Sequence, residues 1–185
     1  MAWEPYSGRD AETAGHEAGH AAVAYALGIR FKTTSIVADS DSRGRVVAVS
    51  PVFVADLPPE EQVRVRARKY RGMTMARLTD HLMVAVAGAV AEQLLFERVP
   101  WSEAFRGTDE QSALKYSRAM WNADDDIAAA YVQFTAVRVR KLLGIQFMRG
   151  AVSELAHALL DHRTLSRRRV GAILRASGVP KVPRR

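Results

Sequence analysis

Two histidines four residues apart, with a glutamate beside the first, stand near the start of the chain in Gly15-His16-Glu17-Ala18-Gly19-His20. Residues i and i+4 share one face of a helix, so His16 and His20 can offer imidazole nitrogens to one metal ion. Glu17 sits one residue round, able to reach a metal-bound water but badly placed to be a third ligand. That pattern is the one in which a helix binds zinc through two His and uses the Glu as general base for peptide hydrolysis. With five His among 185 residues, a chance match somewhere in the chain has odds of roughly one in a hundred. Two His and a Glu are also poor core filler, because buried polar groups need partners. A zinc site needs a third protein ligand and an open position for water.

The surroundings suit a helix. Ala14, Ala18, Ala21, Ala22, Ala24 and Ala26 lose no side-chain entropy on entering one. The helix is expected over residues 11–27, closed by Gly28. Residues 1–10 read as a loose lead-in. Residues 32–38 and 45–54 are rich in Thr, Val and Ile and flank a turn-forming cluster at 39–44, the signature of a β-hairpin. Pro51 puts the far end of the second run at a sheet edge. Val46, Val47, Ala48 and Val49 are therefore the expected edge along which an extended peptide would lie by strand addition.

Pro58 and Pro59 predict a helix start, followed by a basic run to Arg71. Residues from Met75 or Thr79 to Phe96 form the most apolar segment, and a helix apolar all round is buried on several sides. Glu92 inside it either has a partner or snorkels to the surface near the helix end. Residues 99–101 read as loop, with Thr108 or Asp109 as a helix cap ahead of a helix over 112–121. Residues 122–126, with three aspartates, are expected to close that helix. Helices are expected over 127–143 and 145–160, separate or continuous. Residues 164–166 should open a last short helix to about 176, and 177–185 form a basic, Pro-containing tail.

A chain of this length suits one domain, 1–185, with its core at 11–176. Composition is that of a globular protein, 48% hydrophobic and 25% charged. Without cysteine there is neither disulfide nor thiolate, so His and carboxylate must hold any metal, which suits zinc. No signal peptide is recognisable, and the uncharged apolar runs at 21–29 and 82–91 fall short of a bilayer span, so cytoplasm is expected. The net charge of +7 gathers at Arg64, Arg66, Arg68, Lys69 and Arg71 and, after Asp161, at Arg163, Arg167, Arg168, Arg169, Arg175, Lys181, Arg184 and Arg185. Without a nucleic-acid motif or interleaved aromatics, a solvated basic face is favoured over a nucleic-acid-binding protein.

From residue 14 to 174 the chain resembles the peptidase domain of the FtsH-type ATP-dependent zinc proteases. The resemblance rests on residues 15–22, on 86–96, on Gly107-Thr108-Asp109 followed by Ala113 and residues 117–120, and on 155–165. It implies a zincin-like, mainly α domain with a small β-sheet and a helical C-terminal part. It also implies one Zn2+ per chain held by His16, His20 and Asp109, with Glu17 as the base. Glu92 matches a family glutamate that could orient a ligand His. Counting from the loop glycine instead would place Gln111 in the ligand position; the helix register favours Asp109. The family's membrane helices and phosphate-binding loop are not found in this sequence. The expectation is therefore a stand-alone, ATP-independent endopeptidase for flexible polypeptides, a protein partner supplying any unfolding or recruitment. The alternative is a zinc-stabilised regulatory domain.

Overall fold

The computed structural model describes residues 8–38, 45–48, 75–96, 101, 105, 107–120 and 124–180. Six helices and three short strands occur among them: α1 (Arg9–Ala26), β1 (Phe31–Ser35), β2 (Arg45–Ala48), α2 (Met75–Leu95), α3 (Thr108–Met120), α4 (Asp125–Leu143), α5 (Gln146–His162), β3 (Thr164–Ser166) and α6 (Arg167–Ala176). The protein is mainly α with a small antiparallel sheet.

The Ala-rich α1 runs until Gly28, whose φ of +72° suits a residue without Cβ. There the Gly28 N–H donates to the Tyr25 carbonyl and the Ile29 N–H to the Ala24 carbonyl, closing the helix end. Arg9 and Asp10 are already helical, which corrects the expected lead-in at those two residues; residues 1–7 lie outside the described ones.

α2 is the central helix. It packs on α1, α3 and α4, and α1 packs in turn on α5, which is why α2 is apolar round its whole circumference. Val86 and Val90 are fully buried, each worth about 1.5–3 kcal/mol over exposure. The α1–α2 contact is close because small residues meet there: a Cβ on Gly19 would stand 2.4 Å from Ala91 Cβ and 2.6 Å from the Ala87 carbonyl oxygen. Among the described residues α2 is also the one helix long and apolar enough to cross a membrane by length and composition. The uncharged run at 82–91 is shorter than the helix that contains it, whose ends carry Arg77, Asp80 and Glu92. Here most of α2 is covered by protein.

The sheet order is β2-β1-β3. β2 pairs antiparallel with β1, Thr34 opposite Val46 and Phe31 opposite Ala48, as the hairpin signature predicts. Among the described residues β2 is an edge strand; Val49 lies outside them, as do the turn at 39–44 and the predicted helix with its basic run at 51–74. β3 corrects a prediction. Residues 164–166 do not open a helix but pair with β1, Thr34 opposite Leu165. Leu165 is buried, and Ser166 then caps α6 by accepting from the Arg169 N–H at 3.3 Å. Three residues are too few for a periodicity signal, and only the pairing with β1 makes them a strand.

The three aspartates correct another. They open α4 rather than close α3: Asp124 accepts the Ile127 N–H at 2.9 Å and Asp125 and Asp126 lie in the first turn, where the helix dipole favours negative charge. α4 and α5 are separate, because Ile145 is extended (φ −63°, ψ 132°). One continuous core extends from Ala14 to Val179.

Candidate metal centre

His16 and His20 project from α1 toward α2, which runs antiparallel to it. Each ring is gripped at Nδ1 by α2: His16 Nδ1 is 3.0 Å from Glu92 Oε2 and His20 Nδ1 is 2.7 Å from the Val84 carbonyl oxygen. A carbonyl can only accept, so His20 Nδ1 carries the proton, and a carboxylate makes the same demand of His16. In the neutral rings both Nε2 atoms then hold a lone pair, the tautomer that a metal ligand needs.

Both lone pairs point at one atom. Asp109 Oδ2 lies 2.8 Å from His16 Nε2 and 3.1 Å from His20 Nε2. Asp109 stands in the first turn of α3, after Gly107 with its φ of +72°. It is not the helix cap that its position would suggest, since its side chain faces the rings; Gln111 is exposed, which favours the register that selects Asp109. Three acceptors converging without a cation would repel, so a proton or a metal ion must lie among them. All three atoms fall within 4.8 Å of one another, a group that could hold a metal ion. Tetrahedral ligands with bonds of about 2.0–2.1 Å sit about 3.3–3.4 Å apart, a few tenths of an ångström wider than the two N–O separations. The donor set, two imidazoles and a carboxylate, fits zinc.

The electrostatics agree with a site short of one cation. Burial opposes protonation of His16, yet the hydrogen bonds to Asp109 and Glu92 and the charges of Asp109 and Glu17 raise its pKa to about 10. His20 is raised too: burial and the charge of His16 oppose its protonation, and Asp109 and Glu17 outweigh them. Burial would raise the Asp109 carboxyl, but the two imidazoles hold it well below the usual carboxylate range. Glu17 is buried and close enough for its charge to act on both rings.

Two participants escaped the sequence reading. The Val84 carbonyl carries no side-chain signal. Gly88 did have one, because glycine inside a helix costs about 1 kcal/mol against alanine and asks for a reason. Val84, Gly88 and Glu92 recur at intervals of four along α2, matching the interval between His20 and His16. A Cβ at Gly88 would stand 2.4 Å from His20 Nε2 and 2.5 Å from His16 Nε2, filling the space in which a metal would be held. The β2 edge, residues 45–48, contributes backbone near α1. Some of the C-terminal arginines serve packing: Arg163 pairs with Asp10 at 2.6 Å, Arg175 donates to the Tyr25 hydroxyl at 3.1 Å, and Arg167 lies over the Phe31 ring.

No family model matches the chain, and no curated protein matches it either.

Proposed function

We propose that the protein is a zinc-dependent endopeptidase with a zincin-like fold of the FtsH peptidase type, acting in the cytoplasm on unfolded or flexible polypeptides without nucleotide. The observation that carries this reading is the convergence of His16 Nε2, His20 Nε2 and Asp109 Oδ2 on one point, with buried Glu17 next in sequence to the first ligand. Bound zinc supplies Lewis acidity, acidifying a water and polarising a peptide carbonyl.

The chain's own residues do the rest. His16, His20 and Asp109 would hold the metal, and Glu92 and the Val84 carbonyl hold the two rings in the ligating tautomer. Glu17 takes a proton from the attacking water and delivers it to the leaving amine. The β2 edge, Val46 to Ala48, offers backbone groups to an extended substrate.

The deciding experiment is metal analysis of the purified chain together with cleavage of an unfolded protein, with and without chelator. Stoichiometric zinc and chelator-sensitive turnover are expected. Zinc without turnover would assign the site to a zinc-stabilised interaction domain instead, and neither would remove the reading altogether.

A further inference from the structure

α4 carries two apolar faces, and only one is used. Ala128, Val132, Thr135, Ala136, Val139 and Leu143 are its buried residues, on the face that packs against α2 and α3. On the opposite face Ile127, Ala130, Phe134 and Val137 follow one another at spacings of three and four, with Lys141 next in the series. That is the 3.5-residue period of a two-helix seam. Ile127 is 48% exposed, Phe134 55% and Val137 54%; Tyr131 and Arg138 of the same helix flank the Phe134 ring.

The charges on the same helix say what fits. Asp126 lies in the first turn and Lys141 in the last, with Arg138 near it; Asp125 of that first turn is already paired with Arg118, and Arg140 donates to Gln93. A second copy laid parallel would set acid against acid and base against base. Laid antiparallel, it brings each acidic start beside a basic end and aligns the two helix dipoles favourably. The side-chain sizes agree with that direction. Antiparallel layers place Phe134 against Ala130 of the partner subunit and Ile127 against Val137 of the partner subunit, a large residue facing a small one at the centre.

We infer that the protein forms a two-fold symmetric dimer through antiparallel pairing of α4, burying the stripe Ile127–Ala130–Phe134–Val137 against itself. A two-fold interface needs a self-complementary patch, and this stripe is one. The pairing is independent of the metal centre, which lies where α1, α2 and α3 meet.

The absence of cysteine makes a direct test possible with the 185-residue chain. Light scattering and sedimentation equilibrium should give a dimer whose Phe134→Asp variant is a monomer with unchanged metal content and circular dichroism. Gln133→Cys, close to the two-fold axis, should oxidise to a linked dimer. Asp126→Cys and Arg140→Cys should link efficiently only when the two variants are mixed. A wild-type monomer at hundreds of micromolar, self-linking of Asp126→Cys in a parallel pair, or an assembly indifferent to Phe134→Asp would each overturn the inference. So would a wild-type monomer that Phe134→Asp destabilises, which would mean that another part of the same chain covers the stripe.

Discussion

Gly88 of α2 lies so close to His20 of α1 that a Cβ at position 88 would stand 2.4 Å from the imidazole Nε2. The glycine is the floor of the candidate metal centre. Gly88→Ala should keep the helical spectrum, since alanine is the better helix former, but lose most of its affinity for zinc. Titration with zinc monitored by calorimetry checks this; wild-type affinity in the variant would mean that the rings can swing clear of the added methyl.

Glu17 is not a ligand in this arrangement, so Glu17→Gln should retain metal and thermal stability while losing roughly 10²–10⁴ in rate. Turnover of an unfolded protein, normalised to bound zinc, is the measurement. Equal rates would remove Glu17 from the mechanism.

Asp109 and Glu92 are both carboxylates near His16, with different duties. Asp109→Ala removes a proposed ligand and should copurify without zinc. Glu92→Gln keeps an acceptor oxygen for the His16 Nδ1–H and should weaken binding by about 10–100-fold, the usual cost of disturbing an outer partner. If the two variants lose metal equally, Glu92 itself coordinates.

Protons compete with the metal. Burial disfavours charge on His16, but Asp109 and Glu92 raise its pKa to about 10, so at neutral pH the metal-free site is protonated and zinc must displace protons. Calorimetry in buffers of different ionisation enthalpy should show proton release at pH 7 and apparent affinity rising toward pH 10. For the metal-free chain the sign is opposite. The raised His16 and His20 stabilise the fold fully below their unfolded value near 6.5; above it that contribution is progressively lost, for His16 as pH rises toward about 10. The lowered Asp109 contributes above its unfolded value near 3.9 and loses that contribution as pH falls further. Apo stability should therefore peak between about pH 4 and 6.5. A melting temperature of the apo protein that climbs from pH 6.5 to 10 would contradict this.

The sequence contains no Gly-rich phosphate loop among its 185 residues, so ATP should leave cleavage by the purified chain unchanged, and stably folded proteins should resist it. Stimulation by ATP would require a nucleotide site that the sequence does not display.

What the sequence determined by itself was local. The i, i+4 spacing of His16 and His20 on an Ala-rich run put two imidazoles on one helix face, and the helical period needs no tertiary context to do so. The runs rich in Thr, Val and Ile announced the β1–β2 hairpin in the same way, and the apolar segment from Met75 or Thr79 to Phe96 announced a buried helix. Asp109 is different: it lies 89 residues from His20, and its place beside the two rings in the sequence reading rested on a resemblance, not on spacing. Only the packing of α3 against α2 brings its carboxylate to the two Nε2 atoms and takes it out of the capping role that its position suggested. β3 became a strand because β1 offered an open edge, and the aspartates at 124–126 became a helix start because α4 begins there rather than at 127. The Val84 carbonyl and the space above Gly88 exist only between two helices. Periodicity describes one element at a time, whereas a metal centre depends on how far apart the elements come to rest, and here the small residues at the α1–α2 contact decided that distance.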